Sequence, residues 1–185
     1  MITKPLRLSA PLALAIASTS LAMASPSVAP PEPSVPFEQF VGTWTLKDDQ
    51  FQQVWDGETV ETLTIPNHIT VCTSQTINSV SCAVDANGFK GQIFWVMEHS
   101  KERLVRHLSH FGERRLGTGW GIVGPDGDLN TQVTFSDEPE GTHRKYEYVW
   151  LDTDSYQMVS RQTYSYLRCV PSGSSEKVTW VFRSP

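Results

Sequence analysis

After Phe37, apolar and polar residues alternate with a period of two along most of the chain. This period is typical of β-strands with one inner and one outer face, and turn-forming residues such as Asp56-Gly57 and Asn78-Ser79 separate the alternating segments. The pattern predicts strands over residues 41–47, 58–65, 68–76, 80–85, 89–98, 102–111, 116–123, 129–136, 142–151, 155–167 and 176–183. No window predicts a helix beyond a turn at 37–40, so we expect an all-β domain.

Strand parity assigns the side chains of the later strands to two faces. One face carries most of the aromatic residues, which are Tyr146, Tyr148, Trp150, Tyr156, Tyr164, Tyr166, Trp180 and Phe182. The same parity includes Ser160 and Gln162, and a packed apolar core has no use for such groups because burying them costs free energy unless they are hydrogen-bonded. A lumen that holds a small amphipathic molecule would use them; the alternative is that they lie at strand ends or face solvent.

The N-terminal region has the features of an export signal followed by a tether. Lys4 and Arg7 precede an apolar stretch, and Ala22-Met23-Ala24 fits the small-x-small cleavage pattern, so residues 1–24 are predicted to be a signal peptide with Ser25 as the new N-terminus. Residues 25–36 are rich in proline and are expected to form a disordered tether. The folded domain is predicted to span 37–185, in a periplasmic or secreted protein with no membrane span.

The net charge of the chain argues against some classes of binding partner. Without residues 1–24 the chain carries 13 basic and 20 acidic residues, a net charge of −7, and no basic stripe with interleaved aromatics. Nucleic acid and anionic membrane surfaces are therefore not expected as partners. Residues 93–97 are apolar on both faces, which is typical of a strand covered on its outer side and suggests a homodimer contact there.

The three cysteines are Cys72, Cys82 and Cys169. Export would place them in an oxidising compartment, and Cys72 and Cys82 flank a predicted turn, so we expect a disulfide between them across a hairpin. Pairing of Cys169 with either of the other two remains an alternative. The spacing of the cysteines matches no metal site.

The start of the domain carries the most distinctive motif, Phe37-x-x-Phe40-Val-Gly-Thr-Trp44. It resembles the N-terminal signature of the calycins, the lipocalin and fatty-acid-binding-like barrels, and more closely a bacterial family of lipocalin-like domains of unknown function. The turn at 172–175 and the following strand with Trp180 and Phe182 are similar to the closing segment of those domains. The lipocalin motifs of the middle of the chain are absent.

With the alternating pattern and the turn at 37–40, we expect an antiparallel up-and-down β-barrel that begins with a short helical turn. The resemblance implies that the barrel has eight to ten strands and a ligand cavity. It implies that Trp44 plugs one end of the barrel and that Arg183 packs on its indole. The mid-strand aromatic residues and their neighbours are the ligand-binding candidates, namely Trp95, Trp120, Tyr148, Trp150, Met158 and Tyr164. Plain core packing is the alternative role for them.

A polar cluster runs from Glu98 to Arg115 and includes His99, His107 and His110. His107 and His110 are three residues apart and lie on opposite faces of one strand, so they are not expected to converge on a metal ion. The favoured interpretation is a solvated hairpin with surface histidines. Asp126-Gly-Asp128 is expected to be a turn rather than a calcium loop, and no motif for a phosphate, a cofactor or a catalytic nucleophile occurs.

Three functions remain. The leading hypothesis is an exported barrel that binds a small hydrophobic or amphipathic molecule in a nearly charge-free lumen. The second is a small barrel enzyme, such as an isomerase, cyclase or hydrolase, in which a His, Glu or Tyr inside the lumen acts as an acid or base with a perturbed pKa. The third is an envelope interaction protein with a solid core and no ligand.

Overall fold

The computed structural model describes residues 37–140, 142–163 and 174–185. In these ranges the chain forms one 3-10 turn, Glu38–Phe40, and eleven strands. The strands are β1 (Gly42–Trp55), β2 (Thr59–Thr64), β3 (His68–Thr76), β4 (Ser79–Ala86), β5 (Phe89–His99), β6 (Leu104–Phe111), β7 (Arg115–Val123), β8 (Leu129–Phe135), β9 (Arg144–Asp152), β10 (Ser155–Thr163) and β11 (Ser175–Arg183). The all-β prediction is confirmed. The predicted signal peptide and tether lie outside the described residues, as does Cys169.

The strands form a closed antiparallel barrel. From β3 to β11 each strand pairs with the next along the chain, and β11 pairs with β1 to close the wall. The end of β1 pairs with β2, whereas its beginning pairs with β3. Together β2 and β3 therefore occupy one position beside β1, and the closed wall has ten positions, which confirms the predicted up-and-down barrel of eight to ten strands.

Strand β1 extends to Trp55, beyond the predicted range of 41–47. The prediction is too short because an irregularity changes the parity of the second half of the strand. Its pairing with β11 shifts register between Leu46 and Phe51, and Asp48 and Asp49 there have positive φ angles of 56° and 55°. The shift moves the inward side chains from even to odd positions, so Trp44 and Phe51 face the same side.

The 3-10 turn fills one end of the barrel with aromatic side chains. Phe37 and Phe40 are among the most deeply buried side chains of the described residues. The Phe40 ring centroid lies 5.0 Å from that of Trp150 and 5.7 Å from that of Tyr156. Trp44 is buried beside them, 5.0 Å from Tyr156 between ring centroids. We call this group, Phe37, Phe40, Trp44, Trp150 and Tyr156, the end plug.

Arg183 is a correction to the expected end of the barrel. It is exposed on the outer face of β11, directly after the buried Phe182. Since neighbouring side chains of a strand point to opposite faces, Arg183 does not stack on the Trp44 indole, and the end plug is built from aromatic residues.

Strand β7 presents glycines to the inside of the wall. Gly117, Gly119 and Gly121 pair with Ser109, His107 and Val105 of β6, all of which are buried. A Cβ atom on Gly119 would lie 1.9 Å from the backbone oxygen of Gln132 in β8. The missing side chains therefore allow β7 and β8 to approach closely on the inner face, as glycines do where a barrel wall bends.

The described residues contain no helix with the length and hydropathy needed to cross a bilayer.

Candidate functional site

A cavity of about 270 Å³ lies inside the barrel beside the end plug, and its lining extends to the exposed Phe89. Its walls come from the inward side chains of β3 to β6 and β8 to β11. Most of its lining is aromatic or aliphatic, with Trp95, Tyr148, Met158, Trp180 and Phe182 as large contributors. The volume lies slightly below the range of roughly 300–1,000 Å³ that is usual for drug-sized ligands, so it suits a smaller molecule.

His107 is the polar group in this lining with the most defined environment. It is 2 % exposed, and its Nδ1 accepts a hydrogen bond of 2.9 Å from the indole Nε1–H of Trp95 on the neighbouring strand. An indole nitrogen only donates, so Nδ1 carries no proton and the neutral ring bears its hydrogen on Nε2. Nε2 has no hydrogen-bond partner among the described residues.

The protonation state of His107 follows from its surroundings. Burial lowers its pKa to about 4, because the imidazolium would lose its hydration inside the barrel. Protonation would also place a second N–H against the indole N–H of Trp95, which breaks their hydrogen bond. His107 is therefore a neutral ring with one buried, unpartnered N–H donor.

The tyrosines around His107 are neutral as well. The Tyr146 ring stacks on His107 with a centroid distance of 6.3 Å and an interplanar angle of 7°. Burial raises the pKa of Tyr146 to about 12, and it raises the pKa values of Tyr148 and Tyr156 well above 10. In the part of the chain that the structure describes, the middle of the lumen consequently holds polar atoms but no charge at neutral pH.

A second histidine, His68, lines the cavity from the start of β3. Its ring centroid lies 5.3 Å from that of Phe182, and no described residue forms a hydrogen bond with its Nδ1. Burial lowers the pKa of His68, while the carboxylates of Asp49 and Asp85 act in the opposite direction.

Cys72 and Cys82 form a disulfide in the wall of the lumen. The two residues are directly opposite each other in the β3–β4 register, and both are buried. The disulfide agrees with the predicted hairpin pairing. Its sulfur atoms add to the apolar lining, and the crosslink joins two neighbouring wall strands.

The rim opposite the end plug combines aromatic rings with paired charges. Phe89, Phe111 and Phe135 follow one another, with ring-centroid distances of 6.3 and 6.4 Å. Glu138 accepts hydrogen bonds of 2.7 Å from Arg115 and 2.8 Å from Arg144. Arg144 also lies 3.9 Å from Glu176, and Arg115 contacts Asp137 at 2.9 Å, so Arg115 and Arg144 are both paired with carboxylates.

The predicted ligand-binding residues occupy different parts of the molecule. Trp95, Tyr148 and Met158 line the cavity, whereas Trp150 belongs to the end plug. Trp120 is 47 % exposed on the outer face of β7, where the guanidinium carbon of Arg106 lies 5.1 Å from its ring centroid. It is therefore not part of the lumen, because the glycines of β7 take the inward positions. Tyr164 lies outside the described residues.

Sequence reasoning missed His107. The sequence predicts a solvated hairpin with surface histidines, which holds for the exposed His99 and His110 but not for His107. The available indication was parity, since His107 alternates with Arg106 and Leu108 and shares its face with Val105. That indication is weak, because both faces of β6 mix apolar and polar residues, and the opposite face carries two leucines, Leu104 and Leu108.

Among the described residues, no group of three or more His, Cys, Asp or Glu side chains is arranged to hold a metal ion. Asp126 and Asp128 lie in a tight turn, in which Gly127 N–H donates to Gly124 O at 3.1 Å. The Asp128 side chain is also bound from strand β9, since Trp150 N–H donates to its Oδ1 at 3.0 Å.

No family model and no curated protein matches this chain. Among solved structures, the fold is similar to EF1p2_mFAP2b bound to DFHBI, with 10 % sequence identity, a TM-score of 0.40, and a match that covers 82 % of this chain and 98 % of that one. The likeness concerns the fold alone and carries no argument about the lumen.

Proposed function

We propose that this protein is an exported β-barrel that binds a small hydrophobic or amphipathic molecule in its lumen, in the periplasm or outside the cell. The observation that carries the proposal is the cavity of about 270 Å³ with a mostly aromatic and aliphatic lining. A barrel selected only for stability would fill this space with side chains, because an unfilled apolar cavity reduces stability in proportion to its volume.

The lining supports binding rather than acid–base catalysis by His107. A general base needs a free lone pair, and the one lone pair of the neutral imidazole ring is engaged by Trp95. The remaining Nε2–H is a hydrogen-bond donor and a very weak acid. The phenols of Tyr146 and Tyr148 are equally protonated at neutral pH, so they do not supply a base either.

Native mass spectrometry of the protein purified from its own envelope tests the proposal. We expect a bound small molecule that dissociates on mild activation and that partitions into organic solvent. Protein that is recovered folded and ligand-free, and that takes up no compound from a lipid extract of the same cells, would contradict it.

A further inference from the structure

The lining of the lumen includes a buried hydrogen-bond donor without a partner among the described residues, and this donor restricts the chemistry of the ligand. The donor is His107 Nε2–H: the residue lines the cavity and is 2 % exposed, and no described residue accepts a hydrogen bond from this atom. A buried donor without a partner costs free energy. A ligand atom that accepts this hydrogen bond removes that cost, which makes the free energy of binding more favourable.

The direction of this hydrogen bond is fixed by Trp95. Because the indole N–H occupies Nδ1 at 2.9 Å, the ring cannot exchange its two nitrogens and present an acceptor to the cavity. The stacked ring of Tyr146 holds the orientation from the side, at a centroid distance of 6.3 Å. The matching ligand group is therefore an acceptor, such as a carbonyl or ether oxygen, and not a donor.

The charges around the lumen favour a neutral ligand. Among the described residues the middle of the cavity offers no cation, and the arginine in the lining, Arg144, is paired with Glu138 and Glu176. At the same rim, Arg115 is paired with Asp137 and Glu138. Placing a carboxylate or phosphate in the lumen would cost its hydration without providing an unpaired counter-charge.

The size of the cavity sets the size of the ligand. A volume of about 270 Å³ is less than twice the roughly 150 Å³ of an apolar protein cavity that admits one benzene molecule. Aromatic walls from Trp95, Tyr146 and Trp180 suit a flat ring system, with contacts to ring faces and edges.

We propose that the ligand is a neutral, flat molecule of about two fused rings, with a carbonyl-type oxygen that accepts a hydrogen bond from His107 Nε2–H. This inference rests on the proposed binding function and adds the ligand class and the residue that recognises it.

Calorimetric titration with 1-indanone and indane tests the inference, since the two molecules have the same ring skeleton and differ in the carbonyl oxygen. In the His107→Phe variant the preference for the ketone over the hydrocarbon should fall by about tenfold relative to the parent, because the carbonyl is then buried without a donor. His110→Phe, an exposed position on the same strand, is the matched control and should keep the parental preference.

An unchanged preference in His107→Phe would overturn the inference and leave the binding function intact. A preference that is lost in His68→Phe instead would overturn it as well, because the donor would then be the other histidine of the lining. Failure of both compounds to bind the folded parent up to their solubility limits would overturn the inferred ligand class, whereas the binding function itself is tested by the native mass spectrometry described above.

Nuclear magnetic resonance of the parent protein supplies a measurement that does not depend on a variant. The ¹⁵N shifts of the His107 ring should identify the tautomer with hydrogen on Nε2, and the Nε2 resonance should move with 1-indanone but not with indane. A ring with its hydrogen on Nδ1, or equal responses to both compounds, would overturn the inference.

Discussion

The indole Nε1–H of Trp44 donates a hydrogen bond of 2.8 Å to the backbone oxygen of Phe40. This contact joins the first wall strand to the 3-10 turn that carries Phe40 into the barrel. It also explains why the Gly-Thr-Trp motif follows the turn directly: the indole fills the barrel end and satisfies a carbonyl of the turn at the same time. Both residues are almost fully buried, at 4 % and 1 % exposure.

Replacing Trp44 with alanine should therefore be strongly destabilising. Trp44→Ala removes a buried indole and its hydrogen bond, and we expect a loss of about 3–5 kcal/mol in the free energy of unfolding measured with urea. Trp55→Ala is the matched control, since Trp55 lies half-buried at the end of β1 and should lose roughly 1 kcal/mol. Small and equal losses for the two variants would show that Trp44 is not part of an end plug.

The disulfide should contribute to stability through the short loop that it closes. Cys72 and Cys82 are separated by 10 positions, and a loop of this length is expected to add about 2–3 kcal/mol. Urea unfolding of the parent with and without reductant should differ by that amount, whereas the double variant Cys72→Ala/Cys82→Ala should not respond to reductant. A parent that is equally stable when reduced would contradict this prediction.

The close approach of β7 and β8 predicts that a methyl group added at an inward glycine of β7 lowers the stability of the protein. Gly119→Ala would place its Cβ against the backbone of β8, which cannot move without disturbing the wall, and we expect a loss of about 3 kcal/mol. In Gly124→Ala the nearest atom is Asp128 O at 3.5 Å, an ordinary contact, and the change should stay within about 0.5 kcal/mol. Thermal unfolding of both variants measures the difference, and equal melting temperatures would refute the close approach of β7 and β8.

Burial of His107 predicts a dependence of stability on pH. Its pKa is about 4 in the folded protein and near 6.5 in the unfolded chain, so between these values the unfolded chain binds a proton that the folded protein does not. Stability should fall with decreasing pH in this window, by about 1.4 kcal/mol per pH unit from this residue alone.

The measurement is urea unfolding of the parent and of His107→Phe at several pH values between about 4.5 and 6, a window set by these pKa values. The variant should show the smaller slope, and a proton-resonance titration of the His107 ring should have its midpoint near pH 4. Parallel slopes, or a midpoint near 6.5, would mean that the ring is hydrated rather than buried.

Strand parity predicted much of the fold because the period of two is a direct consequence of strand geometry. The inward positions of Tyr148, Met158 and Phe182 follow from this period alone. The argument failed where a local irregularity changed the parity: the bulge at Asp48 and Asp49 concealed the second half of β1.

The candidate site was less predictable because the chemical type of a side chain does not determine whether it lies on the inner or the outer face of its strand. Trp120 was assigned to the lumen as an aromatic residue, although the alternating glycines of β7 were the better indication that the inner face there is empty of side chains. His107 was assigned to the surface as a polar residue. Its burial depends on Trp95 from a neighbouring strand, and a hydrogen bond of this kind is not visible in a sequence.

The central claim is that the lumen binds a small molecule. The most direct test is to fill the cavity with a large side chain and to measure whether binding is lost. Val84 lines the cavity, whereas Ala83 is exposed on the outer face of the same strand, so Val84→Trp and Ala83→Trp add similar bulk on opposite sides of one wall. We expect Ala83→Trp to bind 1-indanone with the parental affinity in calorimetric titrations, and Val84→Trp to lose at least about tenfold because the indole occupies the ligand's space. Parental affinity in a folded Val84→Trp variant would place the binding site elsewhere and contradict the account.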